Sequence, residues 1–439
     1  MSPSGSLTDL APVRGISRAF RNRNYRLYAA GNAVSLVGFW MQRVAVGWLT
    51  WELTESAVWL GLMAAADALP TPLLAPWAGV IADRFDRLRV IRLTQAAQTL
   101  QATVLALLSW AGLLSIGPLL GLAMVLGTIQ SIAQPVRLAL VPSLVEHADL
   151  SAAVALNSSL FNLARFLGPA LAGVLITTTG SEAAFAGSAL CFGFLLLALT
   201  RVRVLRVEVG ESPAVSLLAQ FVEGLRYAAT HESIRFILVL VLVSTVLSRA
   251  FLELLPGYAA AVFGRGADGL AILIAAVGAG AMGSSLWLAG RETLTGSLRI
   301  GAGALLVTGA ALAGFAGTDR FAVGVVMMLV LGFANVGTSI VCQTLLQNTV
   351  DGRMRGRMMS IYGLVFRVGP AAGALVMGAL SEVLGLRIPL VLGAAGCAVC
   401  WLWARQRLRR LAPVLEGRPG SAAATRRDGD RPAVRSAEL

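Results

Sequence analysis

The stretch YRLYAAGNAVSLVGFWMQRVAVGWLTWEL, residues 25–53, holds two basic side chains, Arg26 at its start and Arg43 deep inside. A run this long and apolar has the length of a helix that crosses the ~30 Å hydrocarbon core of a bilayer. Arg43 is then the anomaly, because a charge at bilayer depth costs roughly 2.5–3.5 kcal/mol on insertion scales. A partner on another segment must offset that cost, and the search for it organises the reading of the chain.

The 439 residues are 56% hydrophobic and only 13% charged, with a mean hydropathy of +0.75. Soluble domains carry about 25% charged residues, so the composition is that of a membrane protein. The net charge of +13 does not point to nucleic acid, because the arginines fall between long apolar runs and there meet the bilayer surface. All 36 basic residues are arginine. Without lysine there is no Walker A loop and no Schiff-base chemistry, which argues against ATP hydrolysis by this chain. Cys191, Cys342, Cys397 and Cys400 lie in apolar stretches and read as packing residues. His147 and His231 fall in loops. No metal site and no cofactor is expected.

Twelve apolar stretches are long enough to cross: 26–52, 57–82, 89–114, 117–141, 152–178, 183–200, 233–260, 267–290, 298–316, 320–346, 357–383 and 387–404. Residues 1–24 are polar and dotted with arginine, unlike a cleavable signal. Twenty-nine of the 36 arginines fall on one side of such a layout and three, Arg265, Arg320 and Arg387, on the other. The positive-inside rule then puts both termini in the cytoplasm. Arg43, Arg165, Arg249 and Arg367 remain inside stretches. The organisation expected is a cytoplasmic segment 1–24, a six-helix half 25–200, a cytoplasmic linker 201–232, a second six-helix half 233–405 and a disordered arginine-rich tail 406–439. Within the linker, SPAVSLLAQFVEGLRYAAT (212–230) has a helical apolar period. It fits a helix lying in the membrane interface or one packed on the bundle.

The halves echo each other. FNLARFLGPALAG in the fifth stretch and GLVFRVGPAAGA in the eleventh both place an arginine before Gly-Pro. The first and seventh match through Arg43 and Arg249. Such repeats are a mark of transporters.

The loop GVIADRFDRLR, residues 79–89, carries the family resemblance. Over residues 20–405 the chain resembles the major facilitator superfamily, whose loop pattern is G-x-x-x-D-R-x-G-R-x-R. Gly79, Asp83, Arg84, Arg87 and Arg89 fit, and Asp86 stands where glycine is usual. The resemblance implies close helix approach at Gly79 and a cytoplasmic latch built from Asp83 and the arginines. A second motif, the antiporter pattern G-x8-G-x3-G-P-x2-G-G, is matched at Gly168, Pro169 and Gly173, with alanine at three glycine positions, and again at Gly369, Pro370 and Gly373. These small residues permit tight helix contact, and the prolines can kink the helix. The fourth and fifth stretches are similar to the siderophore-exporter and macrolide-efflux branch. The fold implied is an all-α membrane protein of twelve helices in two pseudo-symmetric halves around a central cavity. The family likeness further implies a bacterial inner membrane location, a small-molecule substrate and a monomer.

Asp67 is the expected partner of Arg43, since each lies about ten residues from the first outer loop, or roughly 15 Å at 1.5 Å per residue. Arg249 and Glu253 are spaced i,i+4 and form a second expected pair. Arg165 and Arg367 have no acid within sequence reach. By resemblance all six charges fall on cavity-lining helices. Gln42, Asn162, Asn335, Trp40 and Tyr362 are further cavity candidates. The Arg43–Asp67 pair can be a structural clamp or the coupling site. Burial disfavours a carboxylate's charge and a nearby guanidinium favours it, which suits Asp67, and Glu253 after it, to exchanging protons. The expectation is a proton-coupled exporter of a small organic molecule. An importer of a metabolite anion is the alternative that the same arginines allow. A membrane enzyme lacks support, with no G-x-S-x-G and no H-E-x-x-H.

Overall fold

The computed structural model describes residues 22–146, 149–203, 217–290 and 296–416, with the side chains of Pro76, Asp83, residues 217–220, Ala289 and Val414 outside the description. The described part is helical and holds no strand. Helix α1 (Arg23–Thr54) starts where the Asn22 side chain accepts hydrogen bonds from the Asn24 and Tyr25 amides, 2.9 and 3.3 Å, and ends at Glu55 in the left-handed region, φ 47°. Next come α2 (Ala57–Ala68) and α3 (Pro70–Arg84), separated at Leu69, where Pro70 and Pro72 withhold amide donors. They are followed by α4 (Arg87–Trp110), α5 (Ile116–Leu140), α6 (Leu150–Thr179) and α7 (Ser181–Arg201). A linker helix α8 (Leu217–Thr230) leads to α9 (Glu232–Val243), then α10 (Ala267–Ala289), α11 (Ser297–Ala316), α12 (Phe321–Thr349), α13 (Gly352–Leu384) and α14 (Arg387–Leu415). Among the described residues ten helical stretches are long and apolar enough to cross a membrane. Helices α1 and α4, of 32 and 24 residues, run beside them and are compatible with twelve crossings.

The seventh stretch departs from the regular helix expected over 233–260. After α9 it continues as a π-helix (Ser244–Arg249), a 3₁₀ segment (Ala250–Leu254), one short turn (Leu255–Gly257) and a second π-helix (Tyr258–Val262). Pro256 lacks the amide a regular helix would need there. Helix α14 also runs past the expected boundary at 406 to Leu415. Leu411 and Leu415 are buried, and the Glu416 carboxylate accepts the Gly296 and Leu298 amides, 2.8 and 3.0 Å, at the start of α11. The tail beyond residue 416 and linker residues 204–216 lie outside the described residues.

Packing repeats between the halves: α1 lies on α6 and α7, α4 on α7, and in the second half the irregular stretch lies on α13, and α11 on α14. One apolar core is shared by both halves and holds Trp48, Leu60, Phe251, Tyr258, Leu270 and Met377. The two remaining cores are each confined to one half, around Tyr28 and Leu140 in the first and around Leu345 and Met358 in the second. The halves therefore meet at the end that carries the α1–α2 turn and part toward the other. Glycines report the same taper. A Cβ on Gly61 would sit 2.6 Å from the Ala374 carbonyl oxygen, whereas Gly79, Gly356 and Gly363 face open space. The close approach expected at Gly79 is absent, because α3 packs there through Ala78 and Ala82 and leaves Gly79 to open space.

The linker helix settles on α13. Arg357 pairs with Glu223 at 2.5 Å, and the Tyr227 hydroxyl donates to Asp351 at 2.9 Å. Its other face leaves Phe221, Val222 and Leu225 exposed, so the helix is both packed on the bundle and amphipathic.

Candidate transport site

Arg43 on α1 projects between the halves. One guanidinium nitrogen meets Asp67 of α2 at 3.5 Å, and the other donates to Glu253 of the 3₁₀ segment. Asp67 is shared, since Arg367 of α13 reaches it at 3.7 Å and also donates from Nε to Thr71 Oγ1 at 3.2 Å. A chain Glu253–Arg43–Asp67–Arg367 thus crosses from one half to the other twice. Its side chains are only 19–34% exposed. Charges held this way are stabilised by one another, and removal of one leaves its partner uncompensated.

The expected Arg249–Glu253 pair is not among the ion pairs of the described residues. The i,i+4 rule holds for an α-helix, and residues 244–254 are π and 3₁₀, which turns Glu253 toward Arg43. Arg367, with no acid in sequence reach, finds one in the opposite half. Arg165 and Arg249 have no ion pair among the described residues. Arg165 lies over the Trp40 ring at 5.6 Å and Arg249 over Phe366 at 4.0 Å. Arg43 lies beside the same Trp40 ring, at 6.0 Å, so Arg43 and Arg165 face a common region.

A cavity of about 60 Å³ adjoins the chain, lined among others by Phe39, Gln42, Arg43, Asp67 and Glu253. It has room for water rather than for an organic molecule. Gln42 is fully buried and gives its amide to Gln101 at 2.9 Å. Asn335 is buried too, and its carbonyl accepts from Ser244 at 3.1 Å and Ser248 at 2.7 Å, which fastens the π-helix to α12. Tyr362 donates to the Ser339 carbonyl at 3.1 Å and stacks with Phe366. Asn162 is exposed and donates to Ser158 of its own helix. Trp40 meets Phe161 edge-on at 5.7 Å, and its indole N–H is buried without a partner. Thr71 and Phe366 were not expected at the site. Thr71 stands four residues after Asp67, across the junction at Leu69, and both meet Arg367. Arg137, near the end of the fourth stretch, lies in the last turn of α5 and donates to Gln95 and Gln98 at 3.0 and 3.4 Å.

In the 79–89 loop Asp86 has an ordinary φ of −57° and caps α4 through the Arg89 amide at 2.7 Å. Arg87 donates to the Ala139 carbonyl at 3.2 Å and Ser143 Oγ at 3.4 Å, gripping the negative end of α5. Arg84 and Arg89 are exposed. In the second motif Gly168 lies against α1, where a Cβ would sit 2.5 Å from Trp40 Cβ, and Gly173 lies against Ala271 of the other half. Gly369 and Gly373 pack on Thr245 and Val246 of the π-helix. Pro169 and Pro370 sit inside α6 and α13.

The sequence profile of the transmembrane secretion effector family matches residues 15–415. The chain belongs to that family, within the major facilitator superfamily. It is 27% identical over 173 residues to the staphyloferrin A transporter of Staphylococcus aureus, a match that spans 39% of this chain and 44% of that protein. It is 28% identical over 352 residues to the enterobactin exporter EntS of Salmonella typhi, covering 76% of this chain and 78% of EntS. In fold it is similar to a bacterial homolog of the human lysosomal transporter Spinster, with a TM-score of 0.71 at 14% identity over 88% of this chain and 98% of that one. This transmembrane secretion effector is therefore a multi-pass membrane protein of the transporter superfamily.

Proposed function

We propose that the chain is a proton-coupled secondary transporter that carries a small organic molecule out of the cell by alternating access. The observation that carries this reading is the chain Glu253–Arg43–Asp67–Arg367, which ties both halves to one titratable carboxylate. A proton taken up by Asp67 abolishes its charge and breaks the bridge to Arg43 and Arg367. Loss of the proton on the other side restores it, so proton occupancy is felt by both halves at once. Arg165 and Arg249 keep their charge throughout and receive the cargo, with Trp40, Phe161 and Phe166 as flat neighbours.

With the arginine-rich loops in the cytoplasm, the shut end faces outward and the parted end faces inward, the side from which an exported molecule loads. Two unpaired arginines favour an anionic or neutral aromatic cargo, and relatives named for enterobactin and staphyloferrin A make a siderophore the first candidate. The protein acts as a monomer in the inner membrane. The 79–89 loop serves as the cytoplasmic latch, and the two Gly-Pro motifs as sliding faces.

The test is uptake of enterobactin and staphyloferrin A into everted vesicles with an acid interior. Uptake driven by the gradient, lost on its collapse and lost in Asp67→Asn, is the expected result. Full gradient-driven export by Asp67→Asn would sink the assignment. Uptake only into right-side-out vesicles would make the chain an importer of an anion instead.

A further inference from the structure

Glu382 stands in the last turn of α13, where the negative end of the helix dipole disfavours a carboxylate. Arg387, five residues on, pairs with Asp319 instead. What Glu382 does meet is the opposite half. Its Oε1 accepts from the Ser56 hydroxyl and from the Val58 amide, the latter at 3.4 Å, at the start of α2. Apart from those of Arg43 and Arg367 at the centre, these are the hydrogen bonds that cross between the halves among the described residues.

Ser56 has the extended backbone of an N-cap, φ −121° and ψ 128°, yet its side chain makes no cap hydrogen bond to α2. A capping serine ordinarily accepts from the second or third amide of its own helix. Val58 is that second residue, and its amide goes to Glu382. The Thr54 hydroxyl accepts the Ser56 amide at 3.3 Å, which holds the turn in its cap geometry while the serine hydroxyl points across to the other half. Helix α2 is thus capped by a carboxylate from α13. That carboxylate finds at the positive end of α2 the compensation its own helix denies it.

We propose that Glu382 is the latch of the shut end and that it works by an exchange of caps. While the end is shut, Glu382 caps α2. When the halves part, the carboxylate withdraws and the Ser56 hydroxyl turns back to accept an amide of its own first turn. The start of α2 then has an acceptor in both states, so the end opens without stranding backbone donors. The inference rests on the alternating-access part of the proposed function and on neither the cargo nor the proton.

The experiment is maleimide labelling of the full chain in nanodiscs, in a background lacking the four native cysteines, at two buried sites. Leu60→Cys reports from α2 and Ala267→Cys from α10; each native residue is 2% exposed. The Ala267 carbonyl oxygen would lie 3.3 Å from a Cβ on Gly173 of the other half. Opening quickens both sites, whereas fraying of α2 alone quickens Leu60→Cys and spares Ala267→Cys. Glu382→Ala should raise both rates roughly fivefold, the size of one charged cap. Glu382→Gln, which keeps an acceptor without the charge, should raise them less. Ser56→Asp, which supplies its own carboxylate and repels Glu382, should raise them at least as much. Ser56→Ala reads the exchange itself. It removes a contact from the shut state and a cap from the open one, so its rates should stay below about twice those of wild type. Should Glu382→Ala not fold, Ser56→Asp and Glu382→Gln carry the same test. Unchanged rates in the folded Glu382 variants, or a rise at Leu60→Cys alone, would overturn the latch. Ser56→Ala as fast as Glu382→Ala would overturn the exchange. No cargo or gradient enters these measurements, so a failed Asp67 assignment and a failed latch are told apart.

Discussion

The taper between the halves can be tested with two methyl groups. Gly61 of α2 and Gly378 of α13 face each other's backbones across the shut end. A Cβ would lie 2.6 Å from the Ala374 carbonyl oxygen in the first case and 2.5 Å from the Ala57 carbonyl oxygen in the second. Both fall roughly 0.8–0.9 Å short of the 3.4 Å at which ordinary contact begins. The neighbour is backbone each time, so no side chain can swing away. Overpacking of this kind costs about 1–3 kcal/mol per site. Helix propensity works the other way by about 0.5–1 kcal/mol in favour of alanine, which stabilises the helices in either state and leaves the shut one selectively penalised. The double variant Gly61→Ala/Gly378→Ala should therefore shift the equilibrium away from the shut end by about 2 kcal/mol or more, roughly 30-fold. The readout is maleimide labelling at Leu60→Cys in a background lacking the four native cysteines. Leu60 is 2% exposed in the shut arrangement, so its labelling should accelerate by that factor. Gly303→Ala, which meets open space, serves as the control and should change nothing. Wild-type labelling rates in the double variant, with the protein folded, would refute the claim that backbone contact at these glycines closes this end.

Other perturbations read the remaining contacts. In a double-mutant cycle on Asp67→Asn and Arg367→Gln, unfolding in detergent should show coupling of about 1 kcal/mol, discounted for partial exposure; additive losses would mean the two side chains form no bridge between the halves. Asn335→Ala removes the acceptor shared by Ser244 and Ser248 and should destabilise the protein by about 1–3 kcal/mol, seen as a lower apparent unfolding temperature in detergent; Asn335→Asp, which keeps the acceptor, should retain more. Arg87→Gln frees the end of α5 at a cost of about 1 kcal/mol, and hydrogen exchange at residues 136–143 should quicken roughly fivefold while α11 is unaffected.

The helix layout was legible because apolar run length is set by bilayer thickness. The Arg43–Asp67 contact was legible for a related reason: two residues at equal distance from a tight turn between antiparallel helices stand at equal depth. Glu253 was misassigned because spacing arguments assume one helical period, and the chain leaves that period at Ser244. A signal for this did exist in Pro256-Gly257, where a missing amide adjoins a glycine lying against the Trp51 ring. The Arg367–Asp67 contact had no such signal. It depends on how one half sits on the other, and periodicity within a helix carries no information about that. Asn335 had a second role that a polar residue at membrane depth does not announce, since its carbonyl fastens an irregular helix.

The charges also bear on what the centre can hold. Glu253, Arg43, Asp67 and Arg367 are two acids and two bases, so the chain they form is neutral while Asp67 is ionised. Arg165 and Arg249, each over an aromatic ring, then leave the region with two positive charges. A proton on Asp67 raises this to three. An organic cation is thus repelled in both proton states, and no shuffling of partners inside the chain alters that sum. An anion is attracted in both, more strongly once the proton has arrived. On the function proposed above, proton and anion favour each other's binding at the same centre, which by itself is the logic of shared passage. Exchange in opposite directions requires that the two occupy the centre at different stages of the cycle. That separation must come from the opening and closing of the ends, where the glycine contacts act, rather than from competition for one side chain.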